Sequence, residues 1–308
     1  MHLTVRGKGQ KRAFAISFAV VFIILASLYG GLIYLSGQTH VNHLPSTVQP
    51  YEIAWGKYVP ENYYQVAFQN YTQSRTVNSS VPLNLVVLQL EDPVINISTS
   101  QVNAIISVTM SSPNQTVDIA FLTQSAYARL NSALLNGKPQ NSSVGSYPMY
   151  LIAENVNRTL DVGWLGMMAN DQAFALALGS GQAQAGLTAV LKTALGQSPS
   201  FLTSLQVSQA AYVAGISSYP LAAGFEHFPG VVRTGNLTGT FVALQGGGIS
   251  VSNVVGFSST VSAQSQVSYT KQVYNTYHEF TLYDSYIDVH ATWSTSQLEQ
   301  ALRLVGGA

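Results

Sequence analysis

"VSAQSQVSYTKQV", residues 261–273, alternates between two kinds of side chain. Val261, Ala263, Val267, Tyr269 and Val273 fall on one side of an extended chain; Ser262, Gln264, Gln266, Ser268, Thr270 and Gln272 fall on the other. A period of two is the signature of a strand with one face buried and one wet. A second strand-like run, residues 279–293, follows a short break near Asn275, so the two are expected to form a long hairpin.

The same signals appear earlier in the chain. "LNLVVLQL" (83–90), "VNAIISVTM" (102–110) and "TVDIAFL" (116–122) are apolar or β-branched runs separated by Asp92-Pro93 and by the turn residues 111–114. "SAYARLNSALLNG" (125–137) reads as a short helix with Ser125 as N-cap and Gly137 as its stop. From about 160 to 215 the composition shifts to Ala, Leu, Gln and Gly. There "AGLTAVLKTALG" (185–196) places Leu187, Val190, Leu191 and Ala194 on one helical face, and Ser198-Pro199 is positioned to start a second helix. Ser296 and Glu299 have capping-box spacing ahead of a last helix with Leu298, Ala301, Leu302 and Val305 on one side. Strands before and after a helical block predict a mainly β, sandwich-like domain with a helical insertion, α+β overall.

The N-terminus adds a different element. The 22 residues Phe14 to Leu35 carry no charge, and as a helix they extend about 33 Å, enough to cross a hydrocarbon core of roughly 30 Å. Arg6, Lys8, Lys11 and Arg12 precede the run, and no Lys or Arg follows it until Lys57. The charge asymmetry predicts a cytoplasmic basic tail (1–13), a single N-terminal transmembrane helix (14–35), a linker (36–50) and an exterior domain (51–308). The expected location is a plasma membrane, crossed once, with the bulk of the chain outside.

Composition sharpens this picture. Charged residues make up 8% of the chain, against about 25% in ordinary soluble domains. All 13 acidic residues follow the apolar run, whereas four of the 13 basic ones precede it. The exterior portion is therefore weakly acidic and wetted by Ser, Thr, Asn, Gln and Tyr. Few carboxylates means little change of charge on acidification, which suits an acidic exterior. Seven N-x-[ST] sequons, at Asn70, Asn78, Asn96, Asn114, Asn141, Asn157 and Asn236, are candidate glycosylation sites. The absence of cysteine excludes disulfides, thiolate metal sites and a cysteine nucleophile. With no basic patch outside the tail, nucleic acid is not an expected partner.

Catalytic signals are sparse. His278-Glu279 opens a zinc-protease pattern, but Leu282 stands where the second His belongs. Read as one strand, residues 278–290 put His278, Asp284, Asp288 and His290 on a single face, expected to be the solvated one opposite Ile287, Val289, Ala291 and Trp293. Asp288 and His290 are the candidate metal pair, requiring help from elsewhere in the chain. "LQGGGI" (244–249) lacks the Lys and helix start of a phosphate loop and reads as a turn, and there is no G-x-S-x-G elbow. No cofactor is expected.

Arg12-Ala13-Phe14-Ala15, a basic and a small residue ahead of an apolar helix, resembles the class III signal of archaeal pilin-like proteins. The resemblance implies cleavage after Ala13. Sparse charge, abundant Ser, Thr and Tyr, many sequons and no Cys likewise resemble archaeal cell-surface glycoproteins of acid hot springs. The function expected is structural or adhesive, in an envelope or surface filament, with self-assembly through strand edges. The alternatives are an accessory or ligand-binding subunit of a membrane complex, docking through its helix, and a surface metal-dependent hydrolase.

Overall fold

The computed structural model describes residues 41–45, 51–79, 97–156, 159–179, 181–216, 220–227 and 236–306. Asn42–Ala308 form one compact unit. The sequence run 14–35, with its expected transmembrane helix, lies outside the described residues, as do Ala13 and the strand-like run 83–90. No helix among the described residues is long and apolar enough to cross a membrane.

One sheet organises the unit. Its strands are β1 (Val41–Asn42), β2 (Tyr63–Asn70), β3 (Val102–Ser111), β4 (Asn114–Leu122), β5 (Ser142–Val144), β6 (Tyr147–Val156), β7 (Thr159–Met168), β8 (Ala173–Leu178), β9 (Ala222–His227), β10 (Leu237–Gln245), β11 (Gly248–Gly256), β12 (Glu279–Tyr283) and β13 (Tyr286–Trp293). They lie in the order β1-β12-β13-β11-β10-β9-β2-β3-β4-β8-β7-β6-β5. Every pairing from β12 through to β5 is antiparallel. The expected sandwich is thus corrected: a single sheet takes the place of two facing ones, and helices rather than a second sheet cover it.

Among the described residues there are six α-helices: α1 (Tyr71–Val77), α2 (Gln124–Gly137), α3 (Ala183–Ala194), α4 (Leu205–Val213), α5 (Thr260–Val273) and α6 (Leu298–Gly306). The expected strand 261–273 is α5. Ser259 caps it by accepting from Ser262 N–H at 3.2 Å, and Ala263 and Thr270, seven residues apart, are its buried positions. Ser, Gln and Thr between small apolar residues satisfy both a period of two and a helical stripe, and only packing separates them. The helical insertion of 160–215 is also corrected, because its first third forms β7 and β8. β8, "AFALAL", is buried from Ala173 to Ala177, and a strand covered on both faces loses the alternation that would reveal it.

Other expectations hold. β3, β4 and α2 stand where their signals lay, although Thr123 rather than Ser125 caps α2. In α3, Leu187, Val190 and Leu191 are buried, and Gly196 follows with φ +70°. The second helix of that block begins at Leu205 rather than beside Pro199. Gly246 and Gly247, both with positive φ, make the tight turn of the β10–β11 hairpin. The final capping box belongs to Ser294 and Gln297, and Leu298, Ala301, Leu302 and Val305 are buried as expected.

The sheet has one strongly apolar face. Register places Phe68 opposite Ala223 and Phe241 opposite the same Ala223, with Val66 opposite Phe225. A 3-10 helix, Tyr51–Tyr58, and a second one, Phe201–Thr203, close over them. Trp55 stacks on Phe68 with centroids 4.8 Å apart and planes 5° from parallel. Its distance to Phe201 is 5.6 Å, and Phe201 meets Phe225 edge-on at 4.9 Å. α3 and α4 extend the cover on this face, α4 through the Tyr286 hydroxyl, which donates to Gln209 Oε1 at 2.8 Å. Trp55 is 3% exposed, so Trp55→Ala should cost about 3–5 kcal/mol. Denaturant midpoints check this against Leu135→Ala, 63% exposed, which should shift stability by less than about 0.5 kcal/mol.

Candidate functional site

The sequence-predicted acid–histidine group does not assemble. Asp284 falls in the two-residue turn between β12 and β13 with φ +40°, so the strand alternation stops there. It accepts from Leu44 N–H at 2.8 Å and lies 2.9 Å from His43 Nδ1. His278 is exposed and precedes β12. Asp288 and His290 do share a face of β13, but that face is not solvated. It is the one α4 covers, and Asp288 is only 7% exposed. Both faces of β13 are buried. Among the described residues no group of three or more His, Asp or Glu converges on a metal position.

Asp288 is instead a buried acid. Ser252 Oγ–H donates to its Oδ1. Burial pushes the carboxyl up to about 7, against the lowering hydrogen bond, with Glu279 raising it further. Asp118 is raised in the same way, by burial against a hydrogen bond from Ser107. Asp284 goes the other way, held down by the Leu44 N–H and then by His43.

The sequons fall into three groups. Asn78, Asn114, Asn141 and Asn236 are exposed. Asn70 is half-buried and caps α1, its Oδ1 accepting from Gln73 N–H at 3.1 Å. Asn96 and Asn157 lie outside the described residues.

The opposite face of the sheet carries a feature that motif reading missed. Directly opposed residues of antiparallel strands point the same way. Along one line, Thr238 faces Glu226, Glu226 faces Gln65, Gln65 faces Thr109 and Thr109 faces Thr116. The next line runs Thr240, Gly224, Ala67, Ser107, Asp118 by the same pairings. Two polar rows therefore cross five adjacent strands, β10-β9-β2-β3-β4. They are internally bonded: Gln65 Nε2 to Glu226 Oε1 at 3.0 Å, Ser107 Oγ to Asp118 Oδ1 at 2.5 Å, and the hydroxyls of Thr109 and Thr116 at 3.0 Å. Thr240 donates to Asn253 Oδ1 at 2.6 Å, and Asn253 donates on to the Tyr277 hydroxyl at 2.5 Å.

At one end the rows run into a cleft of about 210 Å³. Its floor is Gln65, Glu226, Thr238, Thr240 and Asn253, and its walls are Tyr274 beyond α5 and Leu304 and Val305 of α6. Burial raises the Tyr274 phenol, with the Glu226 carboxylate adding to the rise. α6 approaches so closely that a Cβ on Gly224 would lie 2.9 Å from the Val305 carbonyl oxygen. The alternation behind the rows is visible in "YYQVAFQN" and "LTGTFVALQ", but the register that aligns them is not.

No protein-family model matches the chain, and no curated protein matches it. Solved structures that align with it include crystal form I of TP0453, 11% identical over 85% of this chain and 99% of that chain with TM-score 0.46. Crystal form IV of TP0453 aligns at 8% identity over 85% and 98% with TM-score 0.47.

Asp288 predicts an acid-stabilised fold. Its pKa is raised on folding, so the neutral form is favoured. That contribution is full below about pH 4 and is lost as pH rises through about 7, on the order of 4 kcal/mol in all. Asp118 adds to the trend, whereas Asp284, whose carboxyl is held down, changes its contribution only below about pH 4, outside this range. The melting temperature should fall by roughly 5–10 °C between pH 4 and pH 7.5, and Asp288→Asn should remove most of that fall. A wild-type melting temperature that rises over this range would show Asp288 to be ionised without penalty.

Proposed function

We propose that the protein is a cell-surface glycoprotein with a structural or adhesive role in an envelope or surface filament, held at the outer face of a membrane. The uncharged run 14–35, the sequons and the sparse charge support the location. The observation that carries the role is the outer edge of β6. β5 pairs with β6 only at Tyr147, Pro148 and Met149. Asn141 then closes the ladder, its N–H donating to the Met149 carbonyl at 3.0 Å and its Oδ1 accepting from Leu151 N–H at 2.8 Å.

Beyond Leu151, no strand flanks this side of β6 among the described residues. Because the Leu151 N–H points outward, the ladder's alternation turns the backbone groups of Ala153 and Asn155 outward too. β7 has no β8 pairing before Gly163, so the two strands extend as a ribbon past their neighbours. Unpaired backbone of this kind is where another chain adds a strand. A second reading, a ligand-binding subunit of a membrane complex, is favoured by the polar rows.

Ala153→Pro tests the first reading, since it removes one outward N–H without removing a bond to β7. The variant should fold, reach the cell surface and fail to appear in sheared high-molecular-weight surface material, where the parent chain appears. Equal recovery of both in that material would sink assembly through this edge.

A further inference from the structure

We infer that the two polar rows and their cleft form a binding track for a neutral, hydroxyl-rich ligand, a saccharide chain whose end unit enters beneath α6. The inference supplies a ligand class for the second reading and does not require strand-edge assembly.

The lining chemistry points to this class. Hydroxyls, amides and two carboxylates make up the polar groups, and neither row contains Lys, Arg or His, so an anionic ligand finds no countercharge there. A carboxylate among neutral donors and acceptors is the group that makes strong, charge-assisted hydrogen bonds to hydroxyls. Glu226 and Asp118 stand on strands three apart, about 14 Å between backbones, which places them at separate points along the track. Tyr274 at the cleft wall offers an amphipathic ring beside Glu226, suited to an apolar sugar face with polar edges.

Shape agrees with chemistry. Five strands span about 19 Å, a length for several linked units. The cleft's roughly 210 Å³ lies below the approximately 300 Å³ at which drug-sized pockets begin, a size for a single ring. Ala67 keeps the second row low beside β3, and Gly224, directly under Val305 of α6, marks where that row is roofed, leaving the first row as the open line into the cleft. A merely solvated face would have mobile side chains. Here the Gln65–Glu226, Ser107–Asp118 and Thr240–Asn253–Tyr277 bonds already orient the groups, so less ordering entropy opposes binding.

The test is calorimetry on the full chain in mild detergent with malto-, cello-, manno- and chito-tetraose and the matching monosaccharides. At least one tetrasaccharide should bind about tenfold or more tighter than its monosaccharide. Glu226→Gln should weaken it about tenfold, the effect of one charge-assisted hydrogen bond, and Tyr274→Phe should also weaken it. Asp288→Asn, on the other face of the sheet, should leave it unchanged and serves with circular dichroism as the folding control. No binding up to about 10 mM, binding indifferent to both variants, binding of Ca²⁺ or phosphate in place of sugar, or hydrolysis of the tetrasaccharide overturns the inference. Enzymatic deglycosylation separates the sources of sugar. If it abolishes self-association that free tetrasaccharide also competes away, the ligand is the glycan of a second copy; if tetrasaccharide binding is unaffected and no self-association is lost, it is an external polymer. Ala153→Pro touches neither row, so failure here leaves the assembly reading standing.

Discussion

Trp55 meets Phe68 and Phe201 at a point where five separate segments converge. Trp55 comes from before β2, Phe68 from β2, Phe201 from between α3 and α4, and Phe225 and Phe241 from β9 and β10. A single wide sheet has no second sheet to shield its apolar face, so the chain must send short helical segments back over it. Ring contacts of this kind contribute about 0.5–1.5 kcal/mol each beyond the area they bury, and they fix where those segments land. Once that side is sealed, the other face of the central strands can remain partly polar.

This division explains the site. α2 lies on β4 and α6 lies over β2, β9 and β10, and the threonines, Gln65, Glu226 and the Ser107–Asp118 pair occupy the face that these helices flank. The same strands carry Val66, Phe68, Ile106, Val108, Val117 and Ile119 inward, all buried. Alternation thus serves two ends: one set of side chains holds the sheet to its cover and the intervening set presents hydrogen-bonding groups.

Legibility in the sequence followed the strength of each local pattern. β3 and β4 have long runs with a turn between them, and the last helix has a stripe of four apolar residues, so both were readable. Two failures have a shared cause. α5 uses only Ala263 and Thr270 as buried anchors, too little apolar content to impose a helical period, and β8 has apolar residues at every position, too much to show a strand's. The face of Asp288 was misjudged because a polar residue in an alternating strand ordinarily marks the wet side, and the arrival of α4 over it is a tertiary event. The polar rows depended on register among five strands, three of them distant in sequence, which no local pattern encodes.

One property of the rows follows from what they are made of. Hydroxyl and carboxamide side chains neither take up nor release protons across the whole range in which proteins survive. Apart from Glu226 and Asp118, a track built from them presents the same donors and acceptors in acid as in neutral water. Those neutral members keep their hydrogen-bonding roles whatever the acidity, whereas Asp288, on the far face, ties the stability of the fold to it.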